Sequence, residues 1–323
     1  MFLPFHGCPG RCLFCAQEVQ TRTSPSSLDK HYEQLTQDLE QAVQHQKAPL
    51  EIAFFGGTFT NLPQDWAIRF VDLAQTFKQR SLITRIRCST RPDLLNPGRL
   101  QALRAAGLDM IELGIQSFSS QALQASSRGY DASCALQACS LIKEFGFQLG
   151  VQLMPGLPGQ SPADWHRDLK ALIQVSPACV RLYPCLVFQG TRLEDSWKQG
   201  LYRPWSLQTT VKTLSRAVLS LWRSGIPVIR TGLPPELGMQ DHVLAGPWHP
   251  SLGTMIRSRV LTALIITRAV ILGAGEKTLF CPKKYSGELY GFQGENRERL
   301  RKHGLSSQKI IFWDRPDFAL KLD

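Results

Sequence analysis

The chain has no clean apolar run of the roughly 20 residues that a membrane-spanning helix requires. Its most apolar stretch, residues 260–273, is interrupted by Arg268 and preceded by Arg259. The first five residues carry neither a basic leader nor a small-residue cleavage site, so no secretory signal is expected. Internal repeats and low-complexity tracts are also missing. We therefore expect a cytoplasmic protein with no membrane partner.

Charged residues make up only 20% of the 323 residues and hydrophobic residues 43%, a composition that excludes a disordered chain. The net charge of +11 is unevenly distributed. The first 200 residues hold 19 basic and 17 acidic side chains, whereas residues 201–323 hold 18 basic and 9 acidic ones. This excess indicates an anionic partner for the C-terminal part, with a merely solvated basic face as the alternative.

Short apolar segments alternate with amphipathic ones along the first part of the chain. Strands are predicted over residues 1–6, 51–55, 85–89, 110–115, 147–153 and 179–183. Helices are predicted over residues 28–47 with Ser27 as N-cap, 64–80, 97–106, 131–145 and 162–175. This alternation is typical of parallel βα units and of the α/β class. Because six units are too few for a closed eight-stranded barrel, we expect an open doubly wound sheet or an incomplete barrel.

Distinctive residues follow five of these strands. In both architectures binding residues collect where the strands end, so one rim is expected to carry the site. The loops concerned are residues 8–15, 56–58, 89–93, 116–117 and 155–159. Five such loops at one rim favour a functional site over chance turn chemistry.

Cysteine usage also points to the first loop. Nine cysteines without a secretory signal argue against a disulfide framework, and six of them are scattered. Cys8, Cys12 and Cys15 are crowded together, and thiolates select iron–sulfur clusters or zinc. A structural zinc site needs four ligands, for which His6 is the available fourth. A cubane cluster held by three cysteines instead leaves one iron open to a small chelating molecule.

The cysteine spacing, with Phe14 before the last cysteine, resembles the signature of radical S-adenosylmethionine (SAM) enzymes. Further segments resemble the branch that contains oxygen-independent coproporphyrinogen III oxidase and the radical domain of the Elongator catalytic subunit. These segments are residues 55–60, 89–93, 112–117, 128–130 and 153–159. The resemblance covers residues 1–190 and implies a partial, six-unit βα barrel there. Residues 191–323 are then expected to form a smaller, basic α+β region that binds substrate or RNA.

The resemblance also implies a role for individual residues. Cys8, Cys12 and Cys15 match the ligands of a 4Fe–4S cluster. The positions that contact S-adenosylmethionine correspond to Phe14, Gly56, Gly57, Thr58, Ser89, Gln116 and Arg128. The family makes a 5′-deoxyadenosyl radical with an electron from a flavodoxin- or ferredoxin-type donor. No acid–base pair or nucleophile is indicated, so no catalytic side chain is assigned, and the pattern does not indicate an oligomeric state.

Three functions remain open from the sequence. The loop at residues 89–93 and the basic tail favour a radical enzyme that acts on tRNA. The same tail fits a radical enzyme for a small anionic molecule such as a tetrapyrrole. A non-enzymatic cluster or zinc protein that binds nucleic acid is the third. The segment nearest to an acetyl-coenzyme A site, residues 301–306, departs from the expected pattern, so Elongator-type carboxymethylation is not expected from this chain alone.

Overall fold

The computed structural model describes residues 1–21, 26–233 and 238–323, with only the backbone of residues 20 and 21. The chain divides into two compact units. The first comprises Met1–Trp205 and Ile226–Pro247, and the second comprises Ser206–Gly225 and Trp248–Asp323. These units interleave along the chain instead of meeting at one boundary. The predicted division into a radical domain over residues 1–190 and a substrate- or RNA-binding part over residues 191–323 therefore stays a prediction.

The first unit is built on parallel strands. Its strands are β1 (Leu50–Phe54), β2 (Ile83–Thr90), β3 (Met110–Gln116), β4 (Gln148–Leu153), β5 (Cys179–Leu182), β6 (Val187–Phe188), β7 (Val228–Thr231) and β8 (Val243–Ala245). Six of them form one parallel sheet in the order β1-β2-β3-β4-β5-β7. The short strands β6 and β8 pair antiparallel. The predicted six-stranded α/β architecture is confirmed.

The membership of this sheet differs from the prediction at both ends. The strand predicted over residues 1–6 is wrong, because only a single parallel bridge joins Phe2 to Phe55. Phe5 has a φ of 57° and Gly7 a φ of 74°, and these turns carry the chain away from the sheet into the cysteine loop. The sixth strand is instead β7, which lies within residues 191–323, the part of the chain that was expected to form a separate, smaller region.

Helices connect the strands of the first unit much as predicted. They are α1 (Gln17–Thr21), α2 (Leu28–Gln44), α3 (Trp66–Gln79), α4 (Pro97–Ala106), α5 (Ser120–Ala125), α6 (Ala132–Glu144), α7 (Pro162–Val175) and α8 (Arg192–Lys198). Ser27 caps α2 as expected, since its side chain accepts a hydrogen bond from the Lys30 amide at 3.3 Å. The helix ends before the predicted residue 47, because Gln46 adopts a φ of 48°.

Each strand has an apolar face and a polar face. Ile86, Cys88, Ile111, Leu113 and Val180 are fully buried on the apolar face. The alternate positions carry charged side chains, since successive residues of a strand point to opposite sides. These charged residues are Glu51, Arg85, Arg87, Glu112, Arg181 and Arg230. The sheet therefore presents an ionised inner face, unlike the branched apolar interior of a closed barrel.

The second unit is a small α+β body. Its elements are α9 (Leu207–Arg223), α10 (Leu252–Ile271), β9 (Lys277–Pro282), α11 (Ser286–Leu289), α12 (Arg297–Arg301), β10 (Ile310–Trp313) and β11 (Ala319–Leu322). The sheet order is β10-β9-β11, with β10 parallel and β11 antiparallel to β9. Its core includes Leu279, Leu289 and Leu300. Most of the apolar stretch at residues 260–273 lies in α10. Within the described part of the chain, no helix is both long and apolar enough to cross a membrane.

Candidate active site

A cavity of about 420 Å³ opens in the first unit where the strands of the large sheet end. The loops that follow β1, β2, β4 and β5 contribute to its wall, together with Gln116 at the end of β3. Nine of the ten predicted site residues line it, namely Cys8, Cys12, Phe14, Cys15, Gly56, Gly57, Ser89, Gln116 and Arg128. The fold thus places residues that are far apart in the sequence around a single space.

The tenth predicted residue, Thr58, does not line the cavity. It is fully buried, and its amide donates to the His6 carbonyl at 2.7 Å. Its hydroxyl lies 3.3 Å from the Cys8 sulfur. Thr58 therefore supports the cysteine loop from behind, and direct contact with a bound molecule stays a prediction.

The three clustered cysteines are free thiols in a tightly folded loop. Backbone hydrogen bonds of 3.0 Å from Cys8 to Phe5 and of 3.1 Å from Cys15 to Cys12 close two turns of this loop. Burial, together with the neighbouring Cys12 and Cys8, raises the pKa of Cys15 to about 12. Burial also raises the pKa of Cys8. Because metals bind thiolates, a metal held by this loop would displace the protons of these thiols.

Two arginines lie on the Cys12 sulfur. Arg128 donates from Nη1 at 3.0 Å and Arg91 from Nη1 at 3.5 Å. Arg91 is held by both carboxylate oxygens of Asp93, at 3.0 and 2.8 Å. Arg128 is only 5% exposed and also donates to the Tyr130 hydroxyl. The Cys12 sulfur is therefore the meeting point of two guanidinium groups on the wall of the cavity.

The Gly56–Gly57 turn forms the part of the wall next to the cysteine loop. Both residues have positive φ, 79° and 49°. A Cβ at Gly57 would lie 2.1 Å from the His6 carbonyl oxygen, and one at Gly56 would lie 3.0 Å from the Leu3 carbonyl oxygen. Only glycine fits at these positions, so the backbone itself faces the cavity.

Comparison with known families identifies the superfamily of the chain. The chain matches the radical SAM superfamily over residues 2–172, more than half of its length, and the radical SAM C-terminal domain over residues 177–261. The chain belongs to the radical SAM superfamily. Enzymes of the radical SAM superfamily use a 4Fe–4S cluster with S-adenosylmethionine, and they require an electron donor.

The chain is also similar to individual proteins. The chain is 27% identical over 256 residues to the tRNA uridine(34) acetyltransferase of Methanocaldococcus infernus, covering 67% of this chain and 48% of the relative. The structure of Methanocaldococcus infernus Elp3 with an N-terminal deletion superposes with a TM-score of 0.62 at 24% identity, covering 72% and 59% of the two chains. Coproporphyrinogen III oxidase from Escherichia coli gives a TM-score of 0.50 at 20% identity, covering 69% and 52%. The chain spans about half the length of the curated relatives that it matches.

The residues present fit the radical SAM cofactors better than a zinc ion. A zinc site would draw its ligands onto one point, yet no group of three or more His, Cys, Asp or Glu side chains in the described residues is placed to hold a single ion. The Nε2 atom of His6 lies 2.8 Å from the Ser26 carbonyl oxygen, so this nitrogen is taken by a backbone contact. Cys8, Cys12 and Cys15 line one cavity and would hold a 4Fe–4S cluster there, while the Gly56–Gly57 backbone would leave room for the amino acid portion of S-adenosylmethionine.

Sequence reasoning missed a charged network on the inner face of the radical SAM sheet. Glu112, whose side chain is only 4% exposed, accepts from Arg87 at 2.7 Å and from Arg181 at 2.5 Å. Gly150 on the intervening strand makes this contact possible, because a Cβ there would lie 2.7 Å from Cγ of Glu112. Tyr183 joins the network by accepting from Arg181 at 3.0 Å. The sequence does contain a signal for this network, because charged residues occupy alternate positions in segments that are predicted to be buried strands.

A second missed residue, Asp168, joins two loops of the radical SAM site. Its buried carboxylate accepts from the Ser117 hydroxyl at 2.6 Å, the Phe118 amide at 2.7 Å and the Gln160 side chain at 2.8 Å. Gln160 in turn accepts from the Gly156 amide at 2.7 Å. Asp168 therefore positions the loop after Gln116 against the loop after β4.

We expect Asp168 to make stability depend on pH. Burial raises its pKa from 3.8 to about 6. Between pH 3.8 and about pH 6 the folded chain binds the Asp168 proton more tightly than the unfolded chain does. The stabilisation of the folded state by protonated Asp168 is therefore greatest below pH 3.8 and is lost as the pH rises to about 6. The full change is about 3 kcal/mol. Urea unfolding of the wild type and of Asp168→Ala across this range should show their free-energy difference shrinking with rising pH. A difference that grows would contradict this assignment.

Proposed function

We propose that this radical SAM enzyme modifies tRNA. When bound, the 4Fe–4S cluster and S-adenosylmethionine supply a 5′-deoxyadenosyl radical that removes a hydrogen atom from the substrate. The chain's own residues bind and orient the participants. Arg91 and Arg128 hold Cys12 for ligation, and the Gly56–Gly57 backbone offers close approach to the cofactor.

The wall of the cavity carries this proposal. It combines arginine side chains, Arg181 and Arg230, with the aromatic rings of Phe2, Phe5, Phe14, Phe55, Tyr183 and Phe188. Arginines that contact phosphates and rings on which bases stack are the usual means of binding unpaired nucleotides. The excess of basic residues beyond residue 200 adds an electrostatic attraction for a polyanion.

The relatives support the same substrate class. A relative named for tRNA uridine(34) matches 67% of this chain, although this chain corresponds to only 48% of that protein. The proposal therefore covers the radical step alone and leaves the acetyl transfer aside. We further propose a flavodoxin- or ferredoxin-type electron donor and a cytoplasmic location.

A tetrapyrrole is the second candidate substrate. The Escherichia coli coproporphyrinogen III oxidase shares the fold at 20% identity, and arginines bind carboxylates as well as phosphates. The third interpretation, a cluster or zinc protein without catalysis, loses support from membership of the superfamily.

The test of the proposed function uses the anaerobically reconstituted protein with S-adenosylmethionine and a chemical reductant. We expect tRNA binding that weakens steeply with salt, because bound phosphates release their counterions. We also expect 5′-deoxyadenosine release to increase when tRNA is added. Nuclease-digested tRNA serves as the matched control. If the protein cleaves the cofactor but does not bind tRNA, and if porphyrin increases the release of 5′-deoxyadenosine, the tRNA proposal is wrong and the tetrapyrrole is the favoured substrate.

A further inference from the structure

Two arginines on neighbouring strands line the same cavity. Arg181 of β5 and Arg230 of β7 are direct partners in the parallel register, and both line the cavity. Like charges placed opposite each other on one face of a sheet are destabilising. An anion bound in this cavity would offset the positive charge of the pair.

Arg181 is fixed in place by its neighbours. Its Nε donates to Glu112 at 2.5 Å and its Nη1 to the Tyr183 hydroxyl at 3.0 Å. Its Nη2 donates to none of the described residues, so one amino group remains for a ligand. Tyr183, which accepts from Arg181, can still donate its own hydroxyl proton. Nη2 of Arg181 and the hydroxyl of Tyr183 are therefore two hydrogen-bond donors available to a ligand on the wall of the cavity.

Among the described residues, no acidic side chain pairs with Arg230. It is exposed, and within residues 1–21, 26–233 and 238–323 it has neither an ion pair nor a hydrogen bond. The single charge of Glu112 is already shared by Arg87 and Arg181. The four arginines of the inner face outnumber its two glutamates, Glu51 and Glu112, so the end of the sheet at β7 is electropositive.

We propose that Arg181, Tyr183 and Arg230 form a binding site for one phosphate group of the nucleic-acid substrate. This assignment rests on the proposed function and adds to it the place where the substrate backbone is held. Two guanidinium groups and a hydroxyl supply enough donors for both free oxygens of a phosphodiester. The aromatic part of the same wall would face the attached nucleoside, so the phosphate contact fixes position while stacking holds the base.

The experiment measures RNA affinity over a range of salt concentrations with the reconstituted protein. The probes are a short single-stranded RNA and a copy in which methylphosphonates remove the charge of the linkages. Arg230→Gln should weaken binding of the charged RNA by about 10-fold or more and reduce the salt dependence by about one phosphate contact. It should leave binding of the neutral copy unchanged. Tyr183→Phe should give a smaller loss in the same direction.

Arg203→Gln is the matched control. Arg203 is also an exposed arginine of the first unit, but it lies outside the cavity lining. If Arg230→Gln and Tyr183→Phe bind the charged RNA as tightly as Arg203→Gln does, the phosphate site is refuted while the tRNA function stands. If the wild type binds porphyrin and not RNA, and Arg230→Gln weakens that binding, both the phosphate assignment and the proposed function are overturned.

Discussion

Cys12→Ser is expected to eliminate cofactor cleavage. Serine still accepts from Arg91 and Arg128, which donate to the Cys12 sulfur at 3.5 and 3.0 Å, so the loop should keep its fold. It removes a soft thiolate from a site whose chemistry requires one. We expect the release of 5′-deoxyadenosine to fall by more than about 100-fold, beyond what the loss of an outer partner of a metal site causes. Iron and inorganic sulfide content should fall together with this activity.

Cys134→Ser provides the control for this substitution. Cys134 is a partly buried free thiol at the start of α6, and it does not line the cavity. This variant should retain iron, sulfide and activity. A Cys12→Ser protein that keeps its full cluster content and cleaves the cofactor would show that Cys12 is not a ligand. Unchanged thermal unfolding of the metal-free Cys12→Ser protein would show that the loss is one of ligation.

Gly57→Ala is expected to have the second large effect. The added Cβ would lie 2.1 Å from the carbonyl oxygen and 2.8 Å from the amide nitrogen of His6. These atoms belong to the backbone and cannot rotate away, so the turn and the start of the cysteine loop must move apart. Together with the strain of a φ of 49°, we expect a loss of about 2–5 kcal/mol in the free energy of unfolding. Binding of S-adenosylmethionine should be lost as well.

Gly190→Ala is the control that separates the backbone strain of a positive φ from the steric clash of an added Cβ. Gly190 has a φ of 77°, but a Cβ there would have no atom within 4 Å. This variant should lose only about 1–2 kcal/mol and bind the cofactor normally. Denaturant unfolding of the metal-free proteins and isothermal titration with S-adenosylmethionine measure the two effects. Equal losses in both variants would mean that close approach at Gly57 has no special importance.

Local features of the sequence predicted the helices and the cysteine loop well. Ser27 caps α2 through a hydrogen bond to a residue three positions along the chain, and Gly107 ends α4 with a φ of 104°. The cysteines converge because they lie within eight residues of one another. Such features depend on neighbours in the chain, and propensities and spacing describe them directly.

The sixth strand of the sheet could not be placed in the same way. Val228–Thr231 is short, and the partner that makes it a strand, β5, ends 46 residues earlier in the sequence. The strand predicted over residues 1–6 is wrong for the same reason. The apolar segment indicates a strand, but the positive φ angles of Phe5 and Gly7 turn the chain away after a single bridge to the sheet. Strand pairing depends on long-range partners that a local pattern does not contain.

The sequence by itself determined the kind of chemistry, because three closely spaced thiols and a glycine turn restrict the site to a soft metal and a closely approaching ligand. Only the tertiary structure decided what surrounds that chemistry. It buried Thr58 behind Cys8, brought Arg128 from far along the chain onto Cys12, and set Arg181 beside Arg230. The physical reason is that ligand spacing is encoded over a few residues, whereas the charge and shape of a cavity arise from the register of strands that meet only after folding.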